Sequence, residues 1–154
     1  MSNETPSPLQ IFNESEVKVP LRQKKAESIL NMISDQESIS FTLVEIVFVS
    51  EEEIVRINKE HLDRYYVTDI ISFRYDDGQE SDDQSAIEGT LYCCAPRIIE
   101  QSAEFKEPVE REFQRIFIHG LLHLAGYEDT SDKEKAAMTK LENKYLALAE
   151  AANK

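Results

Sequence analysis

The sequence predicts an α+β domain: a small mixed four-stranded sheet packed on helices, with a buried central helix that carries a metal-binding motif. Three observations lead there. The elements read strand, helix, strand, helix, two strands, then three helices, and a run of strands followed by a run of helices is the α+β pattern. From Ile116 to Ala125 nearly every residue is apolar or small, so a helix there is hydrophobic all round and must be buried. Its only polar side chains are His119 and His123, four apart, which places two imidazoles on one face a turn from each other.

The composition sets limits on partners. The chain has 154 residues, 41% of them hydrophobic, enough for one domain with a respectable core. Its net charge of -13 argues against non-specific binding to nucleic acid or anionic membranes, since either polyanion is repelled at long range unless a local basic patch overrides it. No apolar run reaches membrane-span length, and the Met1–Pro8 start has neither a basic region nor an apolar signal core, so the expectation is a soluble cytoplasmic protein. Cys93 and Cys94 are adjacent, so a disulfide between them would be strained, and free thiols fit a reducing compartment; as strand neighbours they face opposite ways and make weak metal ligands.

Residues 1–10, polar with two prolines, read as a disordered tail before a single domain over 11–154. Phe12 to Val19 reads as a short edge strand. Pro20 suits a first helical turn, and Ala26, Ile29, Leu30 and Ile33 recur at helical spacing behind it. Lys18, Arg22, Lys24 and Lys25 form one basic cluster, either a solvated helix face or an anion site. Ser40 to Val49, β-branched and aromatic, reads as an interior strand. Ser50 with Glu53 is a capping-box signature that opens a helix carrying Ile54, Val55, Ile57 and Leu62. Val67 to Tyr75 alternates as a strand, with Thr68, Ile70 and Ser72 on one face and Asp69, Ile71 and Phe73 on the other. An acidic, Ser-rich segment to about Ser85 reads as an exposed, mobile loop. Ala86 to Ala95 is a strand in which Gly89 marks a close approach to the backbone. Pro96 opens a helix to about Phe105, and Pro108 opens the central helix. Ser131 with Glu134 is a second capping box, starting a last helix with Met138, Leu141, Tyr145 and Leu148 as its buried stripe.

The chemistry concentrates in residues 117–129. Gly126 offers a C-cap, and Asp129 follows three residues later, close enough for its carboxylate to fold back toward the histidines. Two imidazoles and a carboxylate leave a fourth position open, as catalytic zinc requires. The competing readings are core histidines bonded to backbone carbonyls, and an Asp129 that caps the final helix, as Thr130 or Ser131 could; Glu128 is a fallback ligand. Burying two imidazoles without strong partners costs about 1–3 kcal/mol each, and one cation satisfies both. The pattern His-x-x-x-His-x-x-Gly-x-x-Asp has metzincin spacing, but Gly120 stands where those peptidases carry their proton-accepting Glu. A peptidase or amidase is thereby disfavoured.

His119-Gly120-Leu121-Leu122-His123-Leu124-Ala125-Gly126-Tyr127-Glu128-Asp129 closely resembles the His-Gly-x-Leu-His-Leu-x-Gly-Tyr-Asp-His signature of the YbeY family, zinc-dependent single-metal endoribonucleases of bacterial ribosomal RNA maturation. Asn58 and the block Thr68-Asp69-Ile70-Ile71-Ser72-Phe73 are similar to the family's Leu-Asn and Thr-Asp-Val-Leu-Ser-Phe blocks, and Glu88-Gly89-Thr90-Leu91-Tyr92 is similar to its Gly-Asp-Ile strand. The resemblance runs from about Ile54 to the end of the chain.

It implies one zinc ion per chain held by His119, His123 and Asp129, and a single-strand-specific endoribonuclease using a zinc-activated water. The implied setting is 16S ribosomal RNA 3' end processing and ribosome quality control, with precursor RNA and the ribosome or its small subunit as partners. Three departures stand out. Asp129 replaces the family's third His, which adds negative charge and weakens the metal as a Lewis acid. The family's functional Arg falls on Leu62, and Arg64, two residues on, is the guanidinium expected to act in its place or else a surface arginine. Thr90 replaces an Asp. His61 is either a proton shuttle facing the site or a surface residue. On an acidic protein, Lys18, Arg22, Lys24 and Lys25 are the groove that would draw RNA in. The non-enzymatic alternative is a zinc-stabilised ribosome-assembly module whose metal activates no water.

Overall fold

The computed structural model describes residues 7–75 and 86–152. The acidic segment 76–85 and residues 1–6 of the expected tail lie outside the described residues. The elements are β1 (Leu9–Asn13), α1 (Gln23–Glu37), β2 (Ser40–Val49), α2 (Glu51–Leu62), β3 (Ile70–Arg74), β4 (Ala86–Cys94), α3 (Ala95–Glu104), α4 (Val109–Leu124) and α5 (Asp132–Ala151). The four strands form one sheet in the order β1-β2-β4-β3. β1 and β4 both run parallel to β2, while β3 pairs antiparallel with β4, so the sheet is mixed as expected.

Strand alternation divides the core between the two faces of the sheet. Ile46, Phe48, Leu91 and Cys93 face a large cluster built with α1, α3, α4 and α5. Val49, Ile71 and Cys94 face the other way, where α2 covers them with Ile54 and Ile57. The adjacent cysteines thus point into opposite layers, both as free thiols, and burial pushes the Cys93 thiol well above its ordinary range. Neither is poised as a metal ligand. Within the large cluster α4 is the central element: Phe117, Ile118, Leu121 and Leu122 are wholly inaccessible to solvent. It packs against α1, α3, α5, β3 and β4.

Glycine allows α4 to sit this close to the sheet. A Cβ at Gly120 would lie 2.7 Å from Ile70 Cδ1 and 2.8 Å from Leu91 Cδ1; one at Gly89 would lie 2.6 Å from Leu124 Cδ2 and 2.7 Å from the Phe73 carbonyl oxygen. The close approach expected at Gly89 is therefore real, made by the end of α4 and by β3. At position 120 the glutamate of a metzincin would first have to displace the methyl tips of Ile70 and Leu91.

Several boundaries differ from those read in the sequence. β1 begins at Leu9, not Phe12, because Leu9 is buried and the Pro8 carbonyl accepts from Val44 N–H (2.7 Å), so residues 9 and 10 belong to the sheet rather than a tail. β1 ends at Asn13, whose side chain accepts from Ser15 and donates to Val17 O, turning the chain out of the edge position. Pro20 lies ahead of α1 rather than in its first turn, since Leu21 docks on the core before the helix starts at Gln23. Ser50 caps α2 through Glu53 N–H, but the Glu53 carboxylate turns to Arg56, so only half of that box forms. β3 is shorter than read, with pairing bonds at its ends from Cys94 N–H to Asp69 O and from Tyr75 N–H to Glu88 O (2.9 Å each). On α5 the full capping box of Ser131 and Glu134 is present, but the buried stripe is Met138, Glu142, Tyr145, Leu146 and Ala149, with Leu148 exposed. Among the described residues no helix is long and apolar enough to cross a membrane.

These contacts rank two substitutions. Gly89→Ala meets a backbone carbonyl that cannot yield, and urea unfolding should show it destabilised by about 1–3 kcal/mol. Gly120→Ala meets only methyl tips that can shift and gains about 1 kcal/mol of helix propensity, so its loss should be the smaller. A larger loss at 120 than at 89 would contradict this packing.

Candidate metal centre

Arg115, His119 and His123 follow one another at four-residue steps on α4, and Glu112 precedes them by three, so a single polar stripe runs down an otherwise apolar helix. The helix closes at Ala125, and Gly126 adopts φ +110°, a left-handed conformation that a side chain would resist although nothing lies near its missing Cβ. Tyr127 N–H then bonds Leu122 O (3.0 Å), and the Tyr127 hydroxyl donates to Glu37 Oε1 (2.5 Å) at the end of α1. Tyr145 of α5 donates to the same carboxylate. This clamp holds the loop that returns Asp129 to the helix.

The structure brings His119, His123 and Asp129 together. The two Nε2 atoms lie 3.0 Å apart, and Asp129 Oδ2 is 3.4 Å from each. Three lone-pair-bearing atoms converging so closely repel one another unless a proton or cation lies among them. Tetrahedral zinc with bonds of about 2.0–2.1 Å separates its ligands by about 3.3 Å, so the triangle has the size such an ion requires. Among the described residues this is the one group of His, Cys, Asp or Glu side chains found close enough to hold a metal. The helix-cap alternative for Asp129 is removed, because Ser131 is the N-cap of α5. Glu128 stands outside the triangle.

His119 is oriented from its other nitrogen. Nδ1 lies 2.6 Å from Glu142 Oε2, so an Nδ1–H donated to that carboxylate leaves Nε2 bare and facing the centre. Glu142 is only 4% exposed and Glu112 only 1%. Between them sits Arg115, donating Nη1 to Glu142 Oε1 (3.0 Å) and Nε to Glu112 Oε1 (2.9 Å), while Gln101 Nε2 of α3 donates to Glu112 Oε2 (3.3 Å). Burial works against the Arg115 charge, but the two carboxylates outweigh it and hold the guanidinium firmly charged. None of these partners is singled out by sequence reasoning. The signals were a carboxylate in phase with the α5 stripe, and an arginine and a glutamate in phase with the histidines.

The triangle opens onto a cleft of about 430 Å³ between α4, β3 and the segment that follows α2. Arg64, Arg74, Asp69, Thr68 and Ser72 are among its lining residues, and so is Leu62. Arg64 therefore shares one cleft with the position on which the family arginine falls. Its segment is pinned by buried Asn58, whose backbone carbonyl accepts from Arg64 N–H (3.3 Å) and whose Nδ2 donates to Tyr66 O (3.0 Å). Arg74 donates Nη1 to Leu124 O (3.1 Å) at the end of α4. His61 does not line the cleft; it lies edge-on to Phe73, their ring centres 5.1 Å apart, on the face that α2 covers. Thr90 is buried, its hydroxyl 2.9 Å from that of Tyr75. Lys18, Arg22 and Lys25 border a different hollow of about 310 Å³ with Glu110 and Gln114, and Lys25 donates to Ala149 O (2.6 Å); Lys24 is exposed on α1 and lines neither.

Two expectations follow. Ser131→Ala should cost about 0.5–2 kcal/mol in urea unfolding yet leave zinc affinity unchanged, whereas Asp129→Ala should sharply lower affinity in a chelator competition with little loss of stability. In the metal-free protein burial disfavours protonated His119, but the bond and charge of Glu142, with the charges of Asp129 and Asp69, raise its pKa above the ordinary 6.5. Protonated His119 therefore stabilises the metal-free fold fully below its unfolded pKa, and that contribution is lost as pH rises through the folded one. Proton and metal compete for Nε2, so zinc affinity should begin to fall above pH 6.5 as the solution is acidified. An affinity flat between pH 8 and about 6 would contradict this.

Comparison with known proteins agrees with this geometry. The family model described as "Endoribonuclease YbeY" matches residues 10–150. The protein named Endoribonuclease YbeY of Chlorobium phaeobacteroides is 37% identical over 139 residues, covering 90% of this chain and 95% of that one. Its counterpart of the same name in Chloroherpeton thalassium is 34% identical over 139 residues, covering 90% and 94%. A Thermotoga maritima protein with a solution structure superposes with a TM-score of 0.61 at 26% identity, covering 92% of this chain and 88% of that one. With a family match over nearly its whole length and the signature histidines in one metal-sized triangle, the chain belongs to the YbeY endoribonuclease family.

Proposed function

We propose that this protein is a single-strand-specific metallo-endoribonuclease of the cytoplasm, acting in ribosomal RNA maturation, including the 16S 3' end, and in ribosome quality control. The observation that carries the reading is the triangle of His119, His123 and Asp129 at the base of an open polar cleft with arginines on its wall. One zinc ion per chain, when bound there, supplies Lewis acidity and a water of lowered pKa.

The chain's own side chains do the rest. His119 and His123 contribute neutral nitrogens and Asp129 one negative charge, so the loaded centre keeps a net positive charge toward the cleft. Arg64 is the catalytic residue we assign: its guanidinium fork matches two phosphoryl oxygens and opposes the charge that grows on them. A single strand suits the cleft because its phosphate can enter without a second strand to clear. Lys18, Arg22, Lys24 and Lys25 lie outside the cleft and would hold flanking phosphates, offsetting the repulsion from a chain of net charge -13. The ribosome or its small subunit would present the precursor RNA.

Cleavage of single-stranded and structured RNA tests this. Metal-loaded protein should cut the single strand, and His123→Ala or metal removal should abolish cutting. Arg64→Ala should lower kcat by about 100-fold or more while zinc affinity is kept. RNA bound but uncut by the loaded protein would instead support an assembly module without catalysis.

A further inference from the structure

We propose that Glu142 is a positioning residue for the metal centre: from α5 it fixes the orientation and tautomer of His119, so that metal loading depends on the seating of α5 against α4. The inference rests on the metal-site reading above and extends it to a residue outside the ligand triangle.

The geometry is specific. Glu142 spends one oxygen on His119 Nδ1 (2.6 Å) and the other on Arg115 Nη1 (3.0 Å), so neither the imidazole nor the carboxylate can rotate without breaking a bond at a buried site. Arg115 is held in turn by Glu112, and Glu112 by Gln101, so the chain of bonds runs from α3 through α4 to α5 and stops at the centre. A carboxylate 4% exposed on an apolar stripe is costly to keep unless its two partners are in place. Among the described residues no carboxylate outside the triangle holds His123, whose ring meets His119 and Asp129. His119 is therefore the ligand whose direction is imposed from outside, and His123 can adjust to it.

Replacing an outer carboxylate that orients a metal-bound histidine weakens metal binding by about 10- to 100-fold. Zinc and cobalt affinities of the full chain, measured by chelator competition, should fall by about that factor in Glu142→Ala. Glu142→Gln has one acceptor where Glu142 has two: the charged Arg115 Nη1 takes it, the amide NH2 turns to His119 Nδ1 and selects the opposite tautomer, so this nearly isosteric variant should lose affinity as well. Nitrogen NMR of the metal-free protein above pH 8 should show His119 protonated at Nδ1 in the wild type, at Nε2 in Glu142→Gln and as mixed tautomers in Glu142→Ala. Urea unfolding of all three separates a folding defect from an orientation defect, and Glu142→Gln should stay folded. Wild-type affinity, or the wild-type tautomer, in Glu142→Ala would overturn the proposal. If His123→Ala loses affinity in the same assay while Glu142→Ala does not, the positioning role fails and the metal site stands. Absence of binding in the wild type overturns both.

Discussion

A helix that is apolar on three sides can be buried only if its remaining polar stripe is satisfied by other elements. In this protein that stripe is Glu112, Arg115, His119 and His123, and its satisfaction decides what surrounds α4. α5 supplies Glu142, α3 supplies Gln101, and the loop after Gly126 supplies Asp129. An arginine and two buried carboxylates would each be costly alone. Linked in one chain they become a rigid frame whose free lone pairs converge at one place, the triangle open to the cleft.

The sheet completes that frame through close approach. Gly120 and Gly89 let α4 descend onto β3 and β4, which brings His119 and His123 to the level of Thr68, Asp69 and Ser72 on the cleft wall. A side chain at Gly89, which meets the Phe73 carbonyl, would part these elements and change the distance from the histidines to that wall. The same contact makes position 120 structural, so the spacing shared with metzincins does not carry their chemistry. Around the centre, Asn58 pins the segment bearing Arg64 and the Glu37 clamp holds the loop bearing Asp129.

Much of this was legible because the signals were local. The i, i+4 histidines, the glycine C-cap, Ser131 as a cap, the β-branched and aromatic run of β2 and the alternation of β3 each depend on neighbours in sequence, and each appears in the fold. The start of β1 is hidden in the sequence because its segment is polar and bears prolines, whereas Leu9 is fixed by pairing with a strand more than thirty residues away. Glu142 is not legible in the sequence because a glutamate on an apolar stripe contradicts the hydrophobic pattern; its reason for being buried lies on another helix. The same holds for Glu37 and for the Arg115 to Gln101 chain, whose partners no periodicity reveals. The basic cluster was legible as a cluster but not as a location, and it borders a hollow separate from the metal cleft.

The central claim is that two imidazoles and one carboxylate hold the ion and leave a position free for water. X-ray absorption at the zinc edge of the stoichiometrically loaded protein measures this directly. The account predicts one zinc per chain with nitrogen and oxygen ligands only, at about 2.0–2.2 Å, two of them imidazoles, and an exchangeable solvent ligand. A sulfur shell at about 2.3 Å, or a first shell filled entirely by protein with no exchangeable ligand, would contradict it.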